Sequence, residues 1–294
     1  MRVGVIGIGA MGGGMARQLH AAGLLGGVWN RTAATAEALA AELGVPAAAD
    51  PAALARDCDV LLTCVSRDED VRAVVAAAKP GLRAGMVVVD ASTVAVETAE
   101  GLAAELAPLD VAFLDAPVSG GKEGAWNGQL VFMVGGDEAA MERVRPAFEA
   151  MGKSVTHMGP VGSGQATKAV NQIMAAGINQ AVSEALAFGE ASGLDMDRVI
   201  EVVSGGAASN WLLRMRGASM VRGSFEPGFK LGLHHKDLTL CRHMLDRMDV
   251  ALPIVEMTLK HYDRLIAAGH GDDDISALYR DKRELFRRGN KRSL

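Results

Sequence analysis

Aromatic residues make up only 4% of the 294-residue chain, and it holds just three cysteines, Cys58, Cys64 and Cys241. An odd count with no C-x-x-C or Cys/His ligand spacing argues against a disulfide framework and against structural zinc, and fits a reducing cytoplasm. No uninterrupted apolar run reaches the length of a membrane span. Residues 1–25 are apolar, but Gly4, Gly7, Gly9, Gly12, Gly13 and Gly14 break them up, so they do not read as a signal peptide. Excess positive charge is also missing. The net charge is −5, which disfavours general nucleic-acid or membrane binding but leaves room for an anionic substrate in a local cationic pocket. Proline is absent from Val161 to Glu226, whereas seven of the nine prolines lie at or before Pro160. The texture of the chain changes there.

What is present is 49% hydrophobic residues and 35 glycines. Such a chain buries a large core without covalent staples. Short, continuously apolar runs at Val3–Ile8, Gly27–Asn30, Val60–Val65, Met86–Asp90 and Ala112–Asp115 read as strands. Helical spacing lies between them at Met11–Ala22 and Thr35–Leu43. Strands without alternation are buried on both faces, and their separation by helices predicts a parallel, doubly wound α/β sheet of the Rossmann type. Val131–Val134, read as antiparallel, and Ser154–His157 extend the sheet. Gln165–Ser192 reads as one long helix capped by Gly193, followed by helices at Asp197–Val203, Trp211–Met220, Lys236–Met248, Pro253–Ala268 and around Ile275–Arg288. The expected domains are 1–162, a dinucleotide-binding unit, and 163–294, an all-helical substrate and dimerisation unit joined through the long helix.

Gly7-Ile8-Gly9-Ala10-Met11-Gly12 is a G-x-G-x-x-G turn between a strand and a helix. Gly7 permits the tight turn, Gly9 the approach of a pyrophosphate, and Gly12 close helix–strand packing, with the pyrophosphate at the helix N-terminus. A NAD site commonly places Asp or Glu about 20 residues on, for the ribose 2′-hydroxyl. Here Asn30-Arg31-Thr32 stand at the second strand's end and offer no carboxylate. A guanidinium and a hydroxyl suit a 2′-phosphate, which favours NADP over NAD. Arg31 stacked on adenine would accept either cofactor. Flavin ranks below both.

Four motifs together resemble the β-hydroxyacid dehydrogenases, a family that includes 3-hydroxyisobutyrate dehydrogenase, tartronate semialdehyde reductase and the glyoxylate/succinic semialdehyde reductases. They are the glycine turn with Met15-Ala16, Asp115-Ala116-Pro117-Val118-Ser119-Gly120-Gly121, Gly162-Ser163-Gly164-Gln165-Ala166-Thr167-Lys168-Ala169-Val170-Asn171-Gln172, and Lys236-Asp237-Leu238. They occur in order and span essentially the whole chain. The resemblance implies that Lys168 is the general acid/base and that Ser119, Gly120 and Gly121 form the substrate loop. It further implies cofactor contacts at Cys64, Val65, Ser66 and Thr93, and a dimer or tetramer. Asn171-Gln172 is the pairing found in the tartronate semialdehyde reductases.

The chemistry of the residues agrees. Lys168 near a helix start, in an apolar turn, is placed where burial and the helix's positive end both lower a lysine pKa. The alternative is a solvated helix lysine. Ser119 and the Gly120 and Gly121 amides suit a carboxylate, or form a plain strand–helix turn, and Lys122 adds charge or is solvated. Asn171 and Gln172, three and four residues beyond Lys168, can orient substrate or lysine. Lys236 can reach cofactor or substrate, with Asp237 positioning it or capping a helix. Neighbouring His234 and His235 point apart, so no metal is expected. Trp211 and Phe229 are pocket walls or core. The expected activity interconverts a small 3-hydroxy acid and its semialdehyde, with no metal, membrane or nucleic acid. Imine reduction on the same scaffold and a non-catalytic dinucleotide sensor are the alternatives, and both fit a chain that has lost Lys168.

Overall fold

The computed structural model describes residues 1–289. The chain divides into two compact units, Met1–Lys168 and a second that begins at Ala169.

The first unit opens with β1 (Val3–Ile6), α1 (Gly12–Ala21), β2 (Leu25–Trp29) and α2 (Ala33–Leu43). It continues with α3 (Pro51–Arg56), β3 (Val60–Thr63), α4 (Asp68–Ala78), β4 (Val87–Asp90), α5 (Val96–Leu106) and β5 (Ala112–Asp115). A distal part follows: β6 (Val118–Ser119), α6 (Gly121–Trp126), β7 (Leu130–Gly135), α7 (Glu138–Met151) and β8 (Gly152–Gly159). The sheet order is β2-β1-β3-β4-β5-β7-β6, with β8 paired to β7. β1 to β5 run parallel. β7 is antiparallel to β5 and β6 but parallel to β8, so the antiparallel reading of Val131–Val134 holds on one edge only. Alternate residues of each central strand enter two separate cores. Val3, Val5, Val60, Leu62, Val87, Val89 and Leu114 face one, and Ile6, Leu61, Val88 and Phe113 the other. Burial on both faces is why these strands show no polar alternation. The strand order turns back between β1 and β3, the point at which such sheets bind ligands beyond their carboxyl ends.

The long helix α8 (Ser163–Ala191) starts in this unit and continues into the second. Gly193, with φ +73°, takes the left-handed position just past its end. The second unit adds α9 (Met196–Ser204), α10 (Trp211–Val221), α11 (Leu231–Asp246), α12 (Pro253–Ala267) and α13 (Leu278–Gly289). Its core is built from Leu186, Leu213, Met220, Leu238, Leu259, Tyr262 and Tyr279. α11 begins five residues before the expected start at Lys236, because Gly232 in its first turn hides the periodicity. Asp237 therefore lies inside the helix and does not cap it. Among the described residues, no helix is long and apolar enough to cross a membrane.

Asp115, at the end of β5, fixes where α8 begins. Its Oδ1 accepts from the Gly162 N–H at 2.8 Å and its Oδ2 from the Gln165 N–H at 2.9 Å. Burial nonetheless pushes its carboxyl up to about 6, against the pull of those backbone donors. Asp115→Asn turns an amide nitrogen toward one of those N–H groups, and the unpaired buried donor costs about 1–3 kcal/mol. The pH dependence has a definite sign. A carboxyl raised from 3.8 to about 6 keeps its proton in the folded chain after the unfolded chain has released it. Its contribution is complete below the unfolded value and is lost as pH rises through the folded one. The stability margin of wild type over Asp115→Asn, from denaturation midpoints, should therefore shrink from about pH 4 to about pH 7; a margin that widens would contradict this account.

Candidate functional site

The Gly7–Gly12 turn is shaped by collisions that side chains would cause. Gly7 has φ +95°, and a Cβ there would strike the Cys64 carbonyl. A Cβ on Gly12 would strike the Gly7 carbonyl. Gly9 differs: a Cβ there would meet nothing within 4 Å, and the residue is exposed. The fold does not require glycine at this position, so the open space suits a molecule bound against the backbone. Asn30 braces the turn, its Oδ1 accepting from the Ile8 N–H at 3.0 Å and its Nδ2 donating to the Thr32 carbonyl at 3.1 Å. α1 has no side-chain cap and no acidic residue in its first turn, which leaves its N-terminus suited to an anion. These features fit a dinucleotide pyrophosphate.

Arg31 is exposed and pairs with Asp70 at 2.8 Å. Thr32 stands at the N-cap of α2 but makes no capping bond with its side chain. Cys64, Val65 and Ser66 follow β3, and the Val65 N–H donates to the Ser92 hydroxyl at 2.9 Å. Burial pushes the Cys64 thiol up to about 12, so it stays protonated and is no nucleophile. Thr93 is half-buried in the loop after β4.

Ser119 ends β6, and Gly120 (φ +133°) and Gly121 (φ +61°) turn the chain into α6. Two successive positive-φ residues there account for the glycines without invoking substrate. Lys168 is 8% exposed, and its Nζ donates to the Val118 carbonyl at 2.8 Å. The buried ammonium thus sits against the residue preceding Ser119. Lys122 is exposed.

Two residues absent from the expected site connect these loops. Gln165 takes the Val94 N–H on its Oε1 at 3.2 Å and donates to the Ser92 carbonyl at 2.9 Å. It thereby clamps the loop bearing Thr93. Trp126, in α6, donates to the Ala10 carbonyl at 3.1 Å and lies under the Arg17 guanidinium, 4.4 Å from its ring centroid. Its helix crosses so close that a Cβ on Gly14 would come within 2.8 Å of the Ala125 backbone. The glycine beyond the G-x-G-x-x-G pattern was the available signal for that crossing.

In the second unit a hydrogen-bonded chain joins four residues. Asn171 Nδ2 donates to Gln172 Oε1 at 2.8 Å, Gln172 Nε2 to Asp237 Oδ2 at 2.5 Å, and Lys236 Nζ to Asp237 Oδ1 at 2.9 Å. Gln172 and Asp237 are buried, while Asn171 and Lys236 are partly exposed. His234 turns inward and His235 pairs with Asp263 at the surface. Phe229 packs on His234, whereas Trp211 is half-exposed with Arg216 over its ring. No group of three or more His, Cys, Asp or Glu among the described residues could hold a metal ion.

Residues 2–159 match the family model for the NAD binding domain of 6-phosphogluconate dehydrogenase, and residues 162–281 that for the NAD-binding region of NADP-dependent 3-hydroxyisobutyrate dehydrogenase. The chain is 36% identical to 2-hydroxy-3-oxopropionate reductase of Escherichia coli, over 95% of this chain and 96% of that protein. It is 33% identical to NAD-dependent L-serine dehydrogenase of Pseudomonas aeruginosa, over 94% and 96%. Among solved structures it is similar to Mycobacterium tuberculosis 3-hydroxyisobutyrate dehydrogenase with L-serine, at 30% identity and a TM-score of 0.86, covering 96% of this chain and all of that one.

The empty surroundings of Gly9 generate a test. Gly9→Ala should leave the melting temperature within about 2 °C of wild type, because the added Cβ meets no protein atom within 4 Å. It should weaken NAD(P)H binding, read by fluorescence, at least about tenfold, because the side chain fills the space of the pyrophosphate. Unchanged affinity would remove the dinucleotide from this turn.

Proposed function

The chain belongs to the 3-hydroxyisobutyrate dehydrogenase family of NAD(P)-dependent oxidoreductases acting on hydroxy acids, and on that premise we propose that it interconverts a small 3-hydroxy acid and its semialdehyde with Lys168 as general acid/base. The single observation that carries the reading is the Lys168 ammonium, buried and bonded at 2.8 Å to the carbonyl of Val118, beside Ser119. A bound nicotinamide supplies or accepts the hydride. In reduction, Lys168 Nζ gives a proton to the carbonyl oxygen as it becomes an alcohol; in oxidation the neutral amine takes that proton. The Ser119 hydroxyl and the Gly120 and Gly121 amides hold the substrate carboxylate.

Asn171 is the amide that touches substrate. Gln172 has its side-chain oxygen taken by Asn171 and its side-chain nitrogen engaged by Asp237, so it orients Asn171 instead. Lys236, restrained by Asp237, adds positive charge for cofactor or substrate. The Asn171-Gln172 pair and the Escherichia coli relative's name make 2-hydroxy-3-oxopropionate the first substrate to try. The family description names an NADP-dependent enzyme and one relative an NAD-dependent one. NADP is our reading for this chain, with Arg31 on the 2′-phosphate. An exposed ion pair such as Arg31–Asp70 is worth about 0–1 kcal/mol, so the guanidinium is cheaply released.

Two measurements test this. NADPH and NADH consumption should be followed with 2-hydroxy-3-oxopropionate, methylmalonate semialdehyde, succinic semialdehyde and glyoxylate. On the substrate that turns over, Lys168→Ala should lower kcat by about 10²–10⁴-fold while cofactor affinity is kept. Wild-type turnover by this variant would end the acid/base assignment. Arg31→Ala should weaken NADPH binding roughly tenfold and leave NADH binding unchanged; equal effects on both would withdraw the 2′-phosphate reading.

A further inference from the structure

The second unit contains a largely buried network of polar groups and one aromatic contact behind the amide pair. Asp274 is its anchor. Its Oδ2 accepts from the Gly228 and Phe229 N–H groups at 3.0 and 3.1 Å, and its Oδ1 from the Ser276 N–H and hydroxyl at 3.1 and 2.7 Å. The chain entering α11 is therefore pinned at Phe229. The Phe229 ring packs on the His234 imidazole with centroids 5.4 Å apart. His234 Nδ1 lies 3.0 Å from the Tyr262 hydroxyl, and Nε2 lies 3.3 Å from the Gln172 carbonyl. Asn179 Nδ2 donates to both the Tyr262 hydroxyl and the Ile275 carbonyl, at 3.0 and 2.8 Å, which brings the network back to the residue next to Asp274.

The partners assign the protons. A backbone carbonyl only accepts, so His234 carries its hydrogen on Nε2. Nδ1 is then an acceptor, and the Tyr262 hydroxyl donates to it while accepting from Asn179. Burial pushes the Tyr262 phenol well above its ordinary value, so that donor proton is retained. The Nε2–H tautomer of His234 satisfies both of these bonds, whereas the other would set the Nε2 lone pair against the Gln172 main-chain carbonyl, acceptor facing acceptor. Gln172 is thereby tied to α11 twice, by its main-chain carbonyl to His234 and by its side chain to Asp237.

We propose that His234 is a positioning residue for substrate binding: through the Gln172 carbonyl it holds the Asn171–Gln172 amide pair in register with Lys236 and Asp237. It touches neither substrate nor cofactor. The inference rests on the reading of Asn171 as a substrate-binding amide. It goes beyond that reading by assigning a role to a histidine the proton transfer does not use.

Wild type, Asn171→Ala, His234→Leu, His234→Gln and Tyr262→Phe should be compared with 2-hydroxy-3-oxopropionate and NADPH, and each variant's NADPH affinity and melting temperature measured. His234→Leu should raise KM about tenfold with kcat changed less than about threefold and NADPH affinity unchanged, the pattern of lost ground-state and transition-state binding together. His234→Gln keeps an N–H donor near the Nε2 position and should recover most of that loss. A merely structural histidine would lower the melting temperature and leave KM alone. Should His234→Leu fail to fold, Tyr262→Phe carries the test, since it removes only the hydroxyl that holds Nδ1; it should raise KM about threefold. Wild-type KM in the folded His234 or Tyr262 variant, absence of rescue by glutamine, or a parallel loss of NADPH affinity would each overturn the proposal. An unchanged KM in Asn171→Ala would instead overturn the amide reading itself. A raised KM in Asn171→Ala beside a normal one in His234→Leu would overturn the positioning role alone.

Discussion

One buried carboxylate sets the geometry of the first unit. Asp115 accepts two backbone N–H groups from the start of α8, and this replaces the water it loses on burial. The helix's positive end favours the charge, and desolvation opposes it; the carboxyl held near 6 reflects that contest. Close approach has a steric condition. A Cβ on Gly135 or Gly164 would run into Asp115, and Gly162 has φ +92°. Once α8 is docked on Asp115, Gln165 reaches back to the Ser92–Val94 loop, and Lys168 reaches Val118. Ser92 in turn holds Val65. Two loops at the carboxyl edge of the sheet, and β6, are ordered by what that one helix start permits.

The second unit solves a different problem. Its core is apolar, yet it buries Gln172, Asn179, His234, Asp237, Asp274 and Ser276. Buried polar groups are tolerated where each has its partner, and unpaired they would cost about 1–3 kcal/mol apiece. The network's value is directional. Apolar side chains would pack α8 against α11 at least as well, but they would not fix which amide hydrogen faces which oxygen. Because Asp237 and Asn171 occupy both ends of the Gln172 carboxamide, the amide orientation is determined by its partners. This fixes Gln172 in place and leaves Asn171 the more open of the two.

Much of this was legible in the residues. The central strands announced themselves because both faces are buried, and the ends of Ala112–Asp115 were read correctly. The glycine turn could be explained position by position, although only Gly9 proves free of protein neighbours. α3, α4, α5 and α7 were not picked out. α4 opens with Asp68-Glu69-Asp70, α5 is interrupted by Gly101, and α7 contains Pro146, so each disguises its apolar face. The start of α11 was lost to Gly232 for the same reason, and with it the internal position of Asp237. Long-range partners were beyond reach. Nothing in the neighbourhood of Trp126 points to Ala10, and nothing around His234 points to Tyr262, because those pairings depend on where helices cross. The motif containing Lys168 was recognisable as a pattern. Its glycines, however, answer to contacts that only the fold supplies: Gly164 lies against Met133 and Asp115, and Gly162 takes a positive φ beside Val96.

Under the proposed placing of Arg31 on a 2′-phosphate, cofactor choice reduces to a competition for one guanidinium. Asn30 is spent on bracing Ile8, and no carboxylate stands at the end of β2 to grip a ribose diol. Arg31 already has a partner in Asp70, but both lie at the surface, where water and salt screen the pair to about 0–1 kcal/mol. A phosphate offers a doubly charged, fork-matched acceptor, and charge-assisted bonds of that kind contribute about 1.5–3 kcal/mol. On those magnitudes the phosphate wins Arg31 from Asp70, whereas a bare 2′-hydroxyl leaves the ion pair intact. The NADP preference we propose thus rests on how weakly Arg31 is held, and Asp70, at the start of α4, is the residue that sets the strength of that hold.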